Sequence, residues 1–241
     1  MLDIYKGLLI ILVVIRHVLQ YSVTDEGGIL TNIIWAIQMP GFMLVSGYFS
    51  ARNVENTHEL SKRIVGSMQH YALPFLSWWF LVSVLLLGGF DRNVLTAANH
   101  IAFHVDSGMW FLWVVFILSI IANICNYISS RNTAYYAVKT VVAALVMLGM
   151  LGILGILVGI RFIGIKFILY YSVFYGSGWL IRKTQDTWKR FIDKYSSLIA
   201  FVAIVCFSAI AFNYDLYHCE DNLISIALRC IAGFSGNVVL L

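Results

Sequence analysis

The sequence predicts an all-α fold: a polytopic transmembrane helix bundle of about eight spans, with its N-terminus in the cytoplasm. Three observations carry this reading. Of 241 residues, 61% are hydrophobic and 12% are charged, whereas a soluble domain is roughly a quarter charged. A water-soluble core of this size leaves much of its surface wet and cannot hide that much apolar side chain. Runs of about 20 mostly apolar residues, the length that crosses a bilayer, recur along the chain. Basic residues also segregate between alternate connections. The composition excludes an ordinary soluble enzyme and a disordered tail. The net charge of +4 is spread along the chain, which excludes a surface that tracks nucleic-acid phosphates.

The candidate spans are residues 6–22, 31–50, 71–89, 109–128, 134–160, 162–181, 197–213 and 223–241. The fifth is long enough to tilt, and its boundary with the sixth falls near Arg161. With the N-terminus inside, Lys6, Arg52, Lys62, Arg63, Arg131, Lys139, Arg182, Lys183, Lys189, Arg190 and Lys194 collect on the cytoplasmic side. Only Arg92, Arg161 and Lys166 fall outside, and Arg16 and Arg229 lie within spans. That imbalance orients the chain. The run from Leu8 to Ile15 ends in Arg16-His17 with no small-x-small cleavage site, so it reads as a retained helix and not a signal peptide. No repeat or linker divides residues 1–241, which read as one membrane domain.

Cys125, Cys206 and Cys230 fall in apolar runs and only Cys219 in a polar connection, so no disulfide framework is expected. No Cys-x-x-Cys spacing occurs, and no metal site is expected.

The first span holds the most informative constellation. Lys6 and His17 are 11 residues apart, which is three turns plus about 20°, so they share one helix face about 16 Å apart along the axis. Asp3 lies one turn before Lys6, within pairing reach. An ionisable residue inside a span is costly and is a functional-site candidate by default. Polarity alone leaves two readings of His17 open: a reactive imidazole, or a packing histidine bonded to a neighbouring helix. Arg16 lies about 100° round the helix from His17, and its long stem favours reach to the outer interface or to an acidic partner.

Asp3-x-x-Lys6-Gly7, an aliphatic stretch and His17 resemble the opening helix of the acyltransferase-3 family of integral membrane proteins. The second span, Gln38-Met39-Pro40-Gly41-Phe42 through Ser46-Gly47-Tyr48, is similar to the family's Met-Pro-x-Phe and Ser-Gly-aromatic segments. A basic loop with Lys62-Arg63 follows, then Tyr71-Ala72-Leu73-Pro74-Phe75, like the opening of the family's third helix. Met109-Trp110-Phe111-Leu112 and Phe174-Tyr175-Gly176-Ser177-Gly178-Trp179 look like later landmarks. The resemblance implies transfer of an acyl group, commonly acetyl from cytoplasmic acetyl-CoA, to a hydroxyl of a cell-surface carbohydrate. It looks closest to the fucose 4-O-acetylase-like branch, and so implies a multi-pass protein of the bacterial cytoplasmic membrane. Membrane lipid, acetyl-CoA and a carbohydrate or lipid-linked glycan acceptor are the implied partners, with no bound cofactor. His17 is the implied catalytic base, histidine being the side chain that most often does this work near neutral pH. Lys6, on the cytoplasmic side, is the implied contact for the donor's phosphates.

The chain also departs from the pattern. Lys6 stands where the family more often has arginine, and Arg16 where a small residue is usual. Ser67 and His70 stand near the family's paired arginines, which leaves Lys62 and Arg63 as substitute donor contacts. Against the family pattern, the chain is expected to lack the last helices. This keeps a second reading open: a non-catalytic, shortened copy that binds or passes a glycan lipid. Catalysis requires a continuous cavity joining Lys6 to a polar-lined His17. The second reading expects His17 among apolar neighbours or open to lipid.

The remaining features have plain readings. The basic loop 182–194 reads as a topology signal and headgroup contact. Gly149, Gly152, Gly155 and Gly159 are expected to bring the fifth span close to a neighbour. Trp110, Trp113 and Trp179 are expected in aromatic belts. His104 and Asp106 are weighed between solvated loop residues and the wall of an outer vestibule.

Overall fold

The computed structural model describes residues 2–22, 28–81, 102–105, 109–130, 135–216, 218 and 222–240. Its elements are α1 (Leu2–Ser22), α2 (Ile29–Ser50), α3 (Thr57–Ser67), a π-helical segment (Met68–Ala72), α4 (Leu73–Leu81), α5 (Trp110–Ser130), α6 (Tyr136–Val158), a short 3-10 turn (Phe162–Gly164), α7 (Ile165–Ala211) and α8 (Leu223–Leu240). Five stretches are long and apolar enough to cross a membrane: Ile29–Ser50, Trp110–Ser129, Tyr136–Val158, Lys189–Ala211 and Leu223–Leu240. The all-α bundle expected from the composition is what the chain forms.

The centre of the bundle is α2, which touches α1, α5, α7 and α8. Its Pro40 lacks the N–H that would bond the Ala36 carbonyl, which loosens the turn. Gly41 then lets three helices meet: a Cβ there would lie 2.7 Å from Leu9 Cδ2 and 2.8 Å from the Tyr5 hydroxyl. At this junction the Tyr5 hydroxyl donates to Asn237 Oδ1. Asn237 Nδ2 in turn donates to the carbonyls of Ile37 (3.2 Å) and Gly233 (2.6 Å). In hydrocarbon, such carbonyls have no water to turn to.

The basic segment 182–194 is not a loop. It continues α7, a 47-residue helix broken only at Tyr195, where φ is −113° and ψ is 16°. Gly178 packs against Leu44 and Tyr48, whereas Asn32 Nδ2 donates to the carbonyls of Ala211 and Tyr214. The start of α7 lines a cavity with Trp35, Arg182 bonds Tyr48 near the other end of α2, and Ala211 is back beside Asn32, so α7 runs along α2 and then returns. The two spans expected on either side survive as the two arms of one bent helix.

The helix that carries the third candidate span begins earlier than expected, because α3, the π segment and α4 are continuous. Leu73 N–H bonds the Met68 carbonyl five residues back, a wide turn that sits just before Pro74 and absorbs its missing donor. Lys62 and Arg63 thus ride on α3 and not in a loop. Residues 82–89, the rest of this candidate span, lie outside the described residues.

The glycine stripe of α6 does not make the close approach expected of it. A Cβ at Gly149 or Gly159 would meet nothing within 4 Å, one at Gly152 only Leu169 Cδ1 at 4.0 Å, and only Gly155 packs tightly, on Ile165 Cγ2 at 3.1 Å. The α6 to α7 turn instead uses Gly159 and Gly164 at φ of 119° and 72°, with Ile163 between them at φ of 45°. Trp113 Nε1 donates to the Ile163 carbonyl at 3.0 Å and holds this turn.

Candidate functional site

Helix α1 lies on the bundle through Tyr5, Leu9, Leu12 and Arg16, a stripe at helical spacing. The face bearing Lys6 and His17 is the neighbouring one, as their spacing requires. Arg16 is therefore buried at 6% exposure, not turned to the outer interface, and His17 is exposed. The sequence expectation for Arg16 is corrected by one step of helical phase: Arg16, not His17, continues the packed stripe.

Lys6 sits at the opposite end of α1. Its ammonium is 3.3 Å from Asp3 Oδ1 and 4.1 Å from the centre of the Phe49 ring. Phe49 meets Tyr48 edge-on at 5.6 Å, and the Arg182 guanidinium lies 5.0 Å from the Tyr48 ring and donates from Nη1 to its hydroxyl at 2.8 Å. Lys6 and Arg182 thus flank one aromatic pair at the C-terminal end of α2, where the helix dipole favours cations.

Beside them, Lys183 Nζ donates to Asn53 Oδ1 at 2.7 Å and lies 4.5 Å from the Tyr136 ring. Burial and then the neighbouring Arg182 charge draw its pKa below the usual lysine value. Arg63 has a different task. It donates to the carbonyls of Arg52 (3.3 Å) and Asn53 (2.8 Å) and to Glu59 Oε1 (2.5 Å), and so ties residues 52–53 to α3. Lys62 is exposed. Of the donor contacts expected from sequence, the structure brings Lys6 to the aromatic pair, where Arg182 joins it, while Lys183 lies beside it against Asn53 and Tyr136. Sequence reasoning set those two aside as topology charges. The signal available was the absence of any Gly or Pro from Trp179 to Ala211, which favours an unbroken helix there.

Under this basic end lies a buried polar string that the sequence reading did not single out. Asn126 Nδ2 donates to the Ser50 carbonyl at 3.0 Å, and Asn126 Oδ1 accepts from Tyr136 (2.9 Å) and Trp179 (3.1 Å). The Ser67 and Ser119 hydroxyls are 2.8 Å apart, and Asn123 Nδ2 donates to the Ser119 carbonyl at 2.8 Å. Tyr175 sits beside the side chains of Ser50 and Ser119 and joins the two groups.

The motif residues are mainly packing elements. Pro40 is buried against Gly233, Gly47 against Tyr175, and Ser46 is half-buried on α2. Pro74 is exposed. Trp110 is half-buried, stacks on Phe167 at 4.9 Å and lies 5.3 Å from Tyr171, against the core. Trp179 is buried and bonded to Asn126, so it does not face lipid as expected of a belt residue, and the Trp113 N–H has a protein partner. His104 is exposed, and its expected neighbour Asp106 lies outside the described residues.

Among the described residues, neither Lys6 nor His17 lines any of the four cavities of the bundle. Cavities of about 720 Å³ and 260 Å³ open along residues 177–193 and between α5, α6 and α7. The sequence does hold one His-x-x-x-His pair, His100 and His104, of which His100 lies outside the described residues. Among the described residues no group of three His, Cys, Asp or Glu side chains forms a metal set.

Comparison with curated proteins and with solved structures finds no match. The family comparison does: the model of the acyltransferase-3 family, an acyltransferase domain, matches residues 2–239. With its helical membrane bundle and the motifs of α1, α2 and α4 in place, the chain belongs to the acyltransferase-3 family.

Proposed function

We propose that this acyltransferase moves an acetyl group from acetyl-CoA, bound at the basic end, to a hydroxyl of a cell-surface carbohydrate, as in the fucose 4-O-acetylase-like branch. The observation that carries it is the Lys6–Phe49–Tyr48–Arg182 arrangement at that end. Two cations suit the donor's phosphates, and two rings suit its adenine by stacking. The basic end is then cytoplasmic, as the charge imbalance argues, in the membrane of a bacterium. The sugar hydroxyl oxygen attacks the thioester carbonyl, and His17 takes its proton. The carbon–sulfur bond breaks, and that proton leaves with the thiol of CoA. About 16 Å of α1 separates Lys6 from His17, a span for an extended donor whose charged end stays at the interface.

The exposure of His17 favours a second reading, in which the chain binds or passes a glycan lipid without catalysis. Transfer from labelled acetyl-CoA in membranes, comparing wild type with His17→Ala, separates the two. The enzyme reading expects transfer by wild type and a loss of about a hundredfold or more in the variant. Full activity of the variant overturns the base role, and no transfer by folded wild type supports the second reading.

A further inference from the structure

The cavity of about 260 Å³ between α5, α6 and α7 is made by small residues. Ala122, Ala144 and Gly176 stand in its three walls, and a Cβ at Gly176 would meet nothing within 4 Å. The polar groups of the lining are committed elsewhere. Thr140, Ser172 and Ser177 donate their hydroxyls to the carbonyls of Tyr136 (3.0 Å), Leu169 (2.7 Å) and Val173 (2.7 Å), each on its own helix. Trp179 Nε1 donates to Asn126 Oδ1. What the cavity presents to a ligand is therefore hydrocarbon. Leu145, Val173 and Leu180 of the lining are 63%, 47% and 41% exposed. The cavity opens sideways through them, toward the region that hydrocarbon occupies around a spanning bundle.

The end of the cavity near Trp179 carries a cation. Gly176, Leu180 and Lys183 follow one another at four and three residues and so share one face of α7. The Lys183 ammonium lies 4.5 Å from the centre of the Tyr136 ring and 5.8 Å from that of Trp179, a lining residue. Its hydrogen-bond partner, Asn53, is neutral, and Arg182 adds a second positive charge beside it. A dry apolar cavity takes an apolar ligand, so the interior suits neither a sugar nor a free anion. Nor does it hold one turn of a helix about 10 Å across. We propose that the cavity takes one hydrocarbon chain of an anionic phospholipid from the leaflet at the basic end, with the lipid phosphate at Lys183. The inference concerns binding alone, so it stands or falls separately from the transferase reading.

The full-length chain in neutral detergent is titrated with phosphatidylglycerol, its single-chain lysolipid, phosphatidylcholine and glycerol 3-phosphate, and retained ligand is read by native mass spectrometry. Phosphatidylglycerol and its lysolipid are expected to bind alike, since one chain is held. Phosphatidylcholine should bind about fivefold more weakly, the worth of one cation near a lipid surface, and Lys183→Gln should remove that preference. Gly176→Leu, which fills the cavity, should weaken both anionic lipids about tenfold, within the range that overfilling a packed space costs. Gly149→Leu is the control, because a Cβ there meets nothing within 4 Å and the residue does not line the cavity. Lys183→Gln keeps the test valid if Gly176→Leu fails to fold. Equal affinity of wild type for phosphatidylglycerol and phosphatidylcholine, an unchanged preference in Lys183→Gln, or equal binding by Gly176→Leu and Gly149→Leu overturns the proposal. Retention of glycerol 3-phosphate as strong as that of the lysolipid overturns it as well.

Discussion

Gly47 of α2 lies directly against the Tyr175 carbonyl of α7, so that a Cβ at position 47 would overlap the backbone of that residue. The contact is reciprocated one turn away, where a Cβ at Gly178 would overlap the Leu44 carbonyl. Backbone cannot give way as a flexible side chain can, so either alanine forces the two helices apart. Gly47→Ala is expected to cost about 3 kcal/mol, the upper end for overpacking. Gly66→Ala is the control, because a Cβ there meets nothing within 4 Å and gains up to about 1 kcal/mol of helix propensity. Thermal unfolding in mild detergent checks both, and equal midpoints would refute the close packing of α2 on α7.

Those two glycines also show what sequence could and could not reveal. Both stand in segments recognised as motifs, yet their role is visible only once the partner backbone is known. The stripe Gly149 to Gly159 looks like a packing motif and mostly faces open space, since residue spacing says nothing about which neighbour occupies that face. Span lengths were legible because hydrocarbon thickness imposes them: α2, α5, α6 and α8 begin and end within two residues of expectation. The polar segment 182–194 reads as a loop if charge is taken as a break, although it holds no Gly or Pro to end a helix. The Lys6–His17 face was legible from helical phase, whereas its exposure depended on which neighbouring stripe packs.

Helix α3 begins with a reciprocal cap. Asn56 Oδ1 accepts from Glu59 N–H at 2.8 Å, and Glu59 Oε2 accepts from Glu55 N–H at 3.1 Å. That backbone bond, and then Arg63, hold the Glu59 carboxyl below its ordinary 4.5. A carboxyl lowered on folding stabilises above its unfolded value and loses that contribution as pH falls through the folded one. Amide exchange at the start of α3 is therefore expected to be flat with pH above about 5, after correction for intrinsic rates, and to accelerate below 4.5. Glu59→Gln should abolish that acceleration. Asn56→Ala should speed exchange at every pH, by the equivalent of about 1 kcal/mol.

Asn126 serves three helices at once, bonding Ser50 on α2, Tyr136 on α6 and Trp179 on α7 from α5. Removal of its side chain strands all three partners. Interhelical bonds in lipid average about 0.6 kcal/mol each, so Asn126→Ala is expected to cost about 2 kcal/mol. Tyr136→Phe, which removes one donor, should cost about a third of that. The two unfolding midpoints in detergent test this order, and a larger loss for Tyr136→Phe would show that Asn126 is not the hub.

The donor site makes the sharpest distinction between residues that carry the same charge. Arg182 and Lys6 are held against the Tyr48–Phe49 pair, Arg63 is committed to the carbonyls of residues 52 and 53, and Lys62 projects into solvent. Charge alone would make all four equivalent to an approaching phosphate. Position does not, because a fixed cation loses less entropy on binding than an exposed lysine does. Lys6→Ala and Arg182→Ala are each expected to raise the KM for acetyl-CoA about tenfold at low salt, with kcat nearly unchanged, as for loss of uniform binding. Lys62→Ala should leave both constants alone, and Arg63→Ala should act through stability and not through KM. Raising the ionic strength should narrow the gap between wild type and the two donor-site variants, since the lost contacts are electrostatic and near the surface. Equal KM values for Lys62→Ala and Arg182→Ala would move the donor site from α7 to α3.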